Sequence, residues 1–467
     1  MTQVVDKKLG VVPLTALVVG AIVGSGIFSL PQNMAEGAGA GAILIAWVIT
    51  FVGMLTLARI FQWLSINRSD INDGVYGYAR NGFGDYLGFN AAWGYWISVW
   101  VGNVGYLVVM FSALGSFKAL GFFGDGSTLP ALLCGLLLLW TLHGFILRGV
   151  QSASLLNLIV TIAKIVPICL FVMCVALAFK VKTFNIDFWG SPSLGSVSEQ
   201  VKNTMLYTVW VFLGIECATV YASRAKDMKT VSIATILGFF ITMLLLVCVS
   251  VLSLGVLSQA ELATMKNPSM AAVLEHAVGP WGGILINIGL VLSVAGALLA
   301  WMLISSEMLY LAARGERHTA PAYFGRLNAK GTPANALWLT NGLVSLFLII
   351  NHLNNAGYNL LIQLASAMAL IPYLLCAAFS LKLAWSSPIK CTGLLLTAAL
   401  GTIYGGWLIY AGGMKYLLLS MVLYALGLPF YLRARHECRL SPFSGWSDVV
   451  LAVIVTVLAG IATWSLA

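Results

Sequence analysis

Charged side chains are scarce in this chain. They make up 9% of its 467 residues, 16 acidic against 25 Lys and Arg, whereas soluble domains carry about 25%. A core facing water on every side is excluded by that figure. Grouped reactive chemistry is scarce as well. The five histidines, His143, His276, His318, His352 and His436, form no pair at metal-ligand spacing, so no metal site is predicted. The eight cysteines, Cys134, Cys169, Cys174, Cys217, Cys248, Cys376, Cys391 and Cys438, fall mostly inside apolar runs without C-x-x-C or Cys/His spacing. They read as small buried hydrophobes. No clustered nucleophile, base and metal set suggests an enzyme, no polar segment is long enough for a sensor's output domain, and no cofactor is called for.

Apolar residues are abundant instead, at 60% with a mean hydropathy of +0.94. A bilayer core of about 30 Å needs about 20 apolar residues per helix. Thirteen runs qualify: residues 9 to 30, 38 to 64, 86 to 117, 128 to 147, 153 to 179, 202 to 223, 232 to 257, 283 to 312, 335 to 351, 357 to 385, 391 to 411, 414 to 432 and 448 to 466. The first run follows a tail of residues 1 to 8 and carries no small-residue cleavage site, so it reads as a retained helix rather than a signal peptide. The net charge of +9 invites a nucleic-acid reading, but its distribution refutes one. With a cytoplasmic N-terminus, alternate loops place eighteen Lys and Arg residues inside and six outside, the positive-inside bias of a multi-pass protein of the cell inner membrane.

Three ionisable residues fall deep within these runs: Lys164, Glu216 and Glu307. A charge near the bilayer centre costs at least about 2.5 kcal/mol on insertion scales, so such groups normally face a polar pathway or each other. Two runs look damaged. The first holds Gly24-Ser25-Gly26 at its centre, where each glycine weakens a helix by about 1 kcal/mol relative to Ala, and the sixth holds Gly214 and Glu216 at the same depth. Interrupted helices in corresponding positions of two halves point to a transporter's binding site, because non-helical backbone at that depth must line a cavity. Pro167 in the fifth run and Pro372 in the tenth form a second pair. Together they suggest an all-α fold of two inverted five-helix repeats, residues 9 to 180 and 202 to 385, with additional C-terminal helices over 391 to 466.

Leu9-Gly10-Val11-Val12-Pro13-Leu14-Thr15, then Gly24-Ser25-Gly26-Ile27-Phe28 and Leu30-Pro31, resemble the first helix of the amino acid/polyamine/organocation superfamily. Trp210 to Glu216 with Lys226-Asp227-Met228-Lys229 resembles its sixth helix and following loop, and Ala329-Lys330-Gly331-Thr332-Pro333 the loop before its ninth. Within the superfamily the chain looks most like the basic amino acid/polyamine antiporters, and among those the arginine/ornithine exchangers. The resemblance implies a LeuT-like inverted-repeat fold with helices 1 and 6 unwound mid-membrane, and exchange of a cationic amino acid, arginine, for ornithine or, next, agmatine.

The resemblance also implies roles for particular residues. Backbone at Gly24, Ser25 and Gly26 would hold the substrate carboxylate, and carbonyls near Leu213 and Gly214 its α-ammonium, as helix ends suit. Trp301 would stack on a cationic side chain, worth about 2 kcal/mol when desolvated, and Trp210 would close over the site. In the third run Tyr95, Ser98, Gly102 and Tyr106 share one helical face, with Asn103 beside them matching a substrate-contacting asparagine; the alternative is an asparagine joining helices. Tyr373 matches a gating tyrosine. Ala365 stands where arginine/agmatine exchangers have a hydroxyl, with Ser366 adjacent, and Ala21 replaces a polar residue, which shifts weight towards ornithine. Glu216 reads as a carboxylate that steadies the sixth helix. Lys164 resembles the lysine of proton-coupled members; its alternative is a structural partner for Glu307, which lies six residues after Trp301, about 240° round the helix. A proton-coupled amino-acid symporter is the alternative function, and helices twelve and thirteen are candidate faces of a homodimer.

Overall fold

The computed structural model describes residues 10 to 149, 154 to 216, 226 to 355, 357 to 386 and 392 to 466, and every regular element among them is helical. The helices that carry the architecture are α1 (Val11–Ile22), α2 (Gly26–Ala35), α3 (Ala40–Asn67), α4 (Gly74–Phe83), α5 (Asp85–Gly115), α6 (Leu129–Leu147), α7 (Ser154–Ala178), α8 (Val197–Phe212), α9 (Met228–Ser253), α10 (Ser269–Val278), α11 (Pro280–Ala313), α12 (Ala334–Asn354), α13 (Gly357–Ser386), α14 (Thr392–Ala411), α15 (Gly413–Ala425), α16 (Leu428–Glu437) and α17 (Trp446–Leu466). An apolar chain in lipid satisfies its backbone only within helices or closed barrels. Among the described residues ten helices are long and apolar enough to cross a membrane, or eleven when α1 and α2, bent by 50° at their junction, count as one span.

Each of the thirteen apolar runs coincides with one of these helices or with a broken pair. In the sixth run α8 stops at Phe212, and residues 217 to 225 lie outside the described residues. Two short helices, α4 and α10, interrupt what the hydropathy pattern leaves as loops.

The chain divides into two compact units. The first gathers α1 to α3, α7 from Leu158, α8 to α10, α11 as far as Ser293 and α14 as far as Gly401. There α1 packs on α9, α3 on α8 and α9, and α2 on α10. Close approach is allowed by Gly238, whose added Cβ would lie 2.6 Å from Val18 Cγ1, and Trp47 Nε1 donates to Ser250 Oγ at 2.8 Å. Asp227 caps α9 by accepting the Thr230 N–H at 2.7 Å. That bond holds its carboxyl below the usual range, so the cap is complete above that range and is lost as pH falls through the lowered value.

The second unit gathers α4 to α6, the remainder of α11, α12, α13, α14 from Thr402 and α15 to α17. Its centre is α5, packed on α13, α4 and α12. Trp93, Trp96 and Trp100 follow one another along α5 in tilted and edge-to-face contact, with ring centroids 4.7 and 6.1 Å apart, and Trp96 Nε1 donates to Thr340 Oγ1 of α12 at 2.9 Å. At the start of α5, Asp85 accepts from Arg80 at 2.8 Å and from the buried Arg435 at 2.7 Å. Removing one member of a buried pair leaves an uncompensated charge, whereas exposed pairs contribute little. Asp85→Asn therefore lowers the apparent melting temperature in detergent, and Asp70→Asn, which breaks only the more exposed Arg68 pair, does not.

Candidate functional site

In the first unit the α1 helix ends at Ile22, Val23 is extended with φ −72° and ψ 94°, and a new helix starts at Gly26 after Ser25. Gly24, Ser25 and Gly26 thus occupy the break. The first turn of a helix leaves N–H groups without intrahelical acceptors, so the start of α2 presents donors at this depth. The α8 helix ends at Phe212, Leu213 is non-helical with φ −57° and ψ 131°, and Gly214 sits at φ +105°. Side chains rarely adopt that conformation, which is why a glycine stands there. Glu216 is buried, and its Oε2 accepts the Gly214 N–H at 3.2 Å.

The two breaks meet. A Cβ added to Gly26 would lie 2.7 Å from Trp210 Cδ1 and 2.8 Å from both Trp210 Nε1 and Val211 Cγ1. The indole of α8 therefore lies directly on the backbone where α2 begins. Lys164 of α7 is buried at 4% exposure and donates its ammonium to the carbonyls of Gly20 and, at 2.9 Å, Val23. These carbonyls lie in the last turn of α1 and on the residue that caps it, the negative end of that half-helix. Within this unit its acceptors are backbone oxygens.

The C-terminal end of α2 is tied down by groups that sequence reasoning did not name. Glu36 Oε2 accepts from Tyr207 OH at 2.9 Å and Gln32 Nε2 at 3.3 Å. Asn267 Nδ2 donates to Gln32 Oε1 at 2.8 Å, and Ser269 Oγ accepts the Gln32 N–H at 3.0 Å. The available signal was Gln32 and Glu36 one turn apart at the end of a largely apolar run.

In the second unit Tyr95, Ser98, Asn103 and Tyr106 are all buried on α5. Neither the oxygen nor the nitrogen of the Asn103 amide has a hydrogen-bond partner among the described residues, although the side chain is 1% exposed. An unsatisfied buried amide costs about 1 to 3 kcal/mol. Ala365 and Tyr373 are buried on α13, and Ser366 donates its hydroxyl to the Ile362 carbonyl at 2.7 Å. Trp301 is half-buried on α11.

Glu307 corrects an expectation, for it is exposed rather than buried. The buried positions of this stretch are Met302, Ser305, Ser306, Met308 and Leu309. Glu307 instead falls on the stripe of Tyr310 and Arg314, which leads to the Arg314–Asp73 ion pair.

A span broken between α1 and α2 and packed on the end of α8, with a buried lysine on the carbonyls of the first and a buried carboxylate on the Gly214 amide beyond the second, defines a secondary transporter of the broken-helix class. The chain belongs to the amino acid permease family, whose sequence model matches residues 9 to 459. It is 48% identical over 469 aligned positions to the arginine/ornithine antiporter of Pseudomonas aeruginosa, covering 97% of this chain and 96% of that protein. It is 44% identical to a putative arginine/ornithine antiporter of Escherichia coli, with 99% of each covered, and 42% identical to an arginine/agmatine antiporter of Chlamydia pneumoniae, with 97% and 96% covered. The protein is accordingly a multi-pass membrane transporter with the LeuT-like fold, and not an enzyme.

Proposed function

We propose that this protein exchanges external arginine for internal ornithine across the cell inner membrane, with its N-terminus in the cytoplasm. The observation that carries the reading is end-to-end likeness to proteins named arginine/ornithine antiporters. In this reading the substrate carboxylate is held by N–H groups at Ser25 and Gly26 and the α-ammonium by carbonyls around Leu213 and Gly214, while Trp210 covers the amino-acid end. Asn103, Ser98 and Tyr106 receive the polar side chain, Ala365 lets it pass, Trp301 stacks on its cation, and Tyr95 and Tyr373 close the path. Glu216 and Glu307 couple these steps, and Lys164 holds the end of α1 in place for them. The chain is organised as five-helix repeats over 9 to 180 and 202 to 385, with additional helices over 391 to 466, of which the twelfth and thirteenth pair two copies. The pairing is read from the mass of the detergent-solubilised protein, where a monomer contradicts it.

Arginine for ornithine swaps like charges, whereas arginine for agmatine moves one net charge, worth about 2.3 kcal/mol per 100 mV. Proteoliposomes loaded with ornithine, agmatine or nothing separate these. Labelled arginine enters ornithine-loaded vesicles at a rate indifferent to an imposed potential. Equal uptake into empty vesicles overturns exchange, and preference for agmatine favours the second reading, which the chlamydial relative motivates.

Asn103 carries a further prediction. Its unmet amide is satisfied only by a bound polar group, so Asn103→Ala removes one hydrogen bond to a charged ligand, about 1.5 to 3 kcal/mol. The KM for arginine rises about tenfold or more, while thermal stability is unchanged or slightly improved. A joint loss of stability and unchanged KM marks Asn103 as a helix-joining residue instead.

A further inference from the structure

One end of α6 carries a cationic and aromatic surface that the exchange reaction does not use. The turn at residues 328 to 332 is clamped onto the C-terminus of that helix. Asn328 Nδ2 donates to the Leu147 carbonyl at 3.0 Å, Thr332 Oγ1 donates to the Ile146 carbonyl at 3.2 Å, and Asn328 Oδ1 accepts the N–H groups of Lys330 and Thr332 at 2.9 and 3.0 Å. The clamp sets Lys330 against the helix end, its Cβ 3.3 Å from the position a Cβ on Gly149 would occupy. Arg148 caps the same helix, and Arg326 lies two residues before Asn328.

All three side chains are exposed, and none takes part in an ion pair or side-chain hydrogen bond among the described residues. Elsewhere in this unit Arg80, Arg314, Arg433 and Arg435 each hold a carboxylate. The segments 128 to 149 and 320 to 355 contain no Asp or Glu at all. Glu437 approaches at Ala322, but it is already bound to Arg433 and His318.

Deeper along the same two helices lies an aromatic group. Trp140, His143 and Trp338 have ring centroids 4.9, 4.2 and 5.3 Å apart, fixed by the contact of Asn341 Nδ2 with His143 Nδ1 at 2.9 Å. Trp338 is 52% exposed, and Phe145 and Leu327 are exposed beside the cations. At 1.5 Å per residue Trp140 stands about 12 Å along α6 from Arg148. Outward-facing Leu129, Leu133, Leu137 and Phe145 extend the apolar stripe along the helix.

We infer that this surface is a binding site for an anionic phospholipid. The phosphodiester sits on Arg148 and Lys330, the glycerol lies against Trp338, and the chains run down the α6 stripe. Unpaired cations at a helix end, above interfacial tryptophan and exposed aliphatic side chains, match such a lipid in charge and depth. A soluble anion would have no use for the apolar part. The inference needs only that the chain spans a bilayer, so it stands or falls apart from the choice of exchange partner.

Native mass spectrometry of the full chain in detergent tests it, with phosphatidylglycerol and phosphatidylcholine of identical chains as the two probes. The unmodified protein binds phosphatidylglycerol about tenfold more tightly. Arg148→Gln with Lys330→Gln reduces that preference to near unity, Trp338→Ala weakens both lipids, and Lys226→Gln with Arg439→Gln, which removes equal charge elsewhere, leaves the preference intact. An unchanged preference in the first double variant overturns the site, as does an equal loss in the second. Displacement of the lipid by millimolar inorganic phosphate assigns the cations to a soluble anion and overturns the lipid reading.

Discussion

Gly26→Val lowers arginine–ornithine exchange by about two orders of magnitude while the protein still inserts and purifies. The new Cβ would stand 2.7 Å from the Trp210 ring and 2.8 Å from Val211 Cγ1, and an isopropyl group reaches further still. Two half-helices meet here, and neither can yield without moving the break it belongs to. Overpacking of this kind costs about 1 to 3 kcal/mol, which lands on the geometry of the N–H groups at the start of α2 rather than on the fold as a whole. Gly214→Ala is the companion test. Its strain comes from the backbone, since φ is +105°, and about 1 to 2 kcal/mol corresponds to roughly a tenfold loss. Initial rates in ornithine-loaded proteoliposomes, normalised to reconstituted protein, measure both. Full activity in Gly26→Val would show that Trp210 has room to withdraw, and the proposed clamp would then be in the wrong place.

Both breaks were legible in the sequence because lipid tolerates a glycine-rich interruption of an apolar run only where the freed backbone lines a cavity or is buried in protein. What glycine meets across the break was not. Gly26 and Trp210 are far apart in the chain, and no spacing rule relates them. Lys164 was visible as an oddity, yet its partners were not, since backbone carbonyls leave no mark on side-chain pattern. A reader of sequence looks for a carboxylate, and Glu307 offered itself at about the right depth. Depth is only one coordinate, however. Which side of α11 faces outward depends on its neighbours, and Glu307 shares the open stripe with Tyr310 and Arg314. The short helices α4 and α10 were lost for a related reason, being too short for a hydropathy window and held in place by contacts with α5 and α2. Asn103 was found by resemblance and α5 spacing, but only the structure shows both ends of its amide unmet.

Lys164→Met abolishes exchange to within about 1% of the unmodified rate and lowers the melting temperature. The ammonium bonds to Gly20 and Val23 satisfy carbonyls that the break at residues 23 to 25 removes from the helical ladder, at a depth without bulk water. Each carbonyl left unmet costs about 1 to 3 kcal/mol, and the half-helix end they belong to fixes where α2 begins. Lys164→Arg does not restore the rate, because Thr161 beside Gly20 already leaves an added Cβ only 2.9 Å, and a planar guanidinium needs more room than a point charge. The same variant separates antiport from proton-coupled symport. Were Lys164 a proton carrier, methionine would remove uptake driven by a pH gradient yet spare arginine–arginine exchange, which needs no net proton movement. As the clasp of the α1 break, its loss stops both modes together, so surviving homoexchange in Lys164→Met would transfer the residue from architecture to coupling.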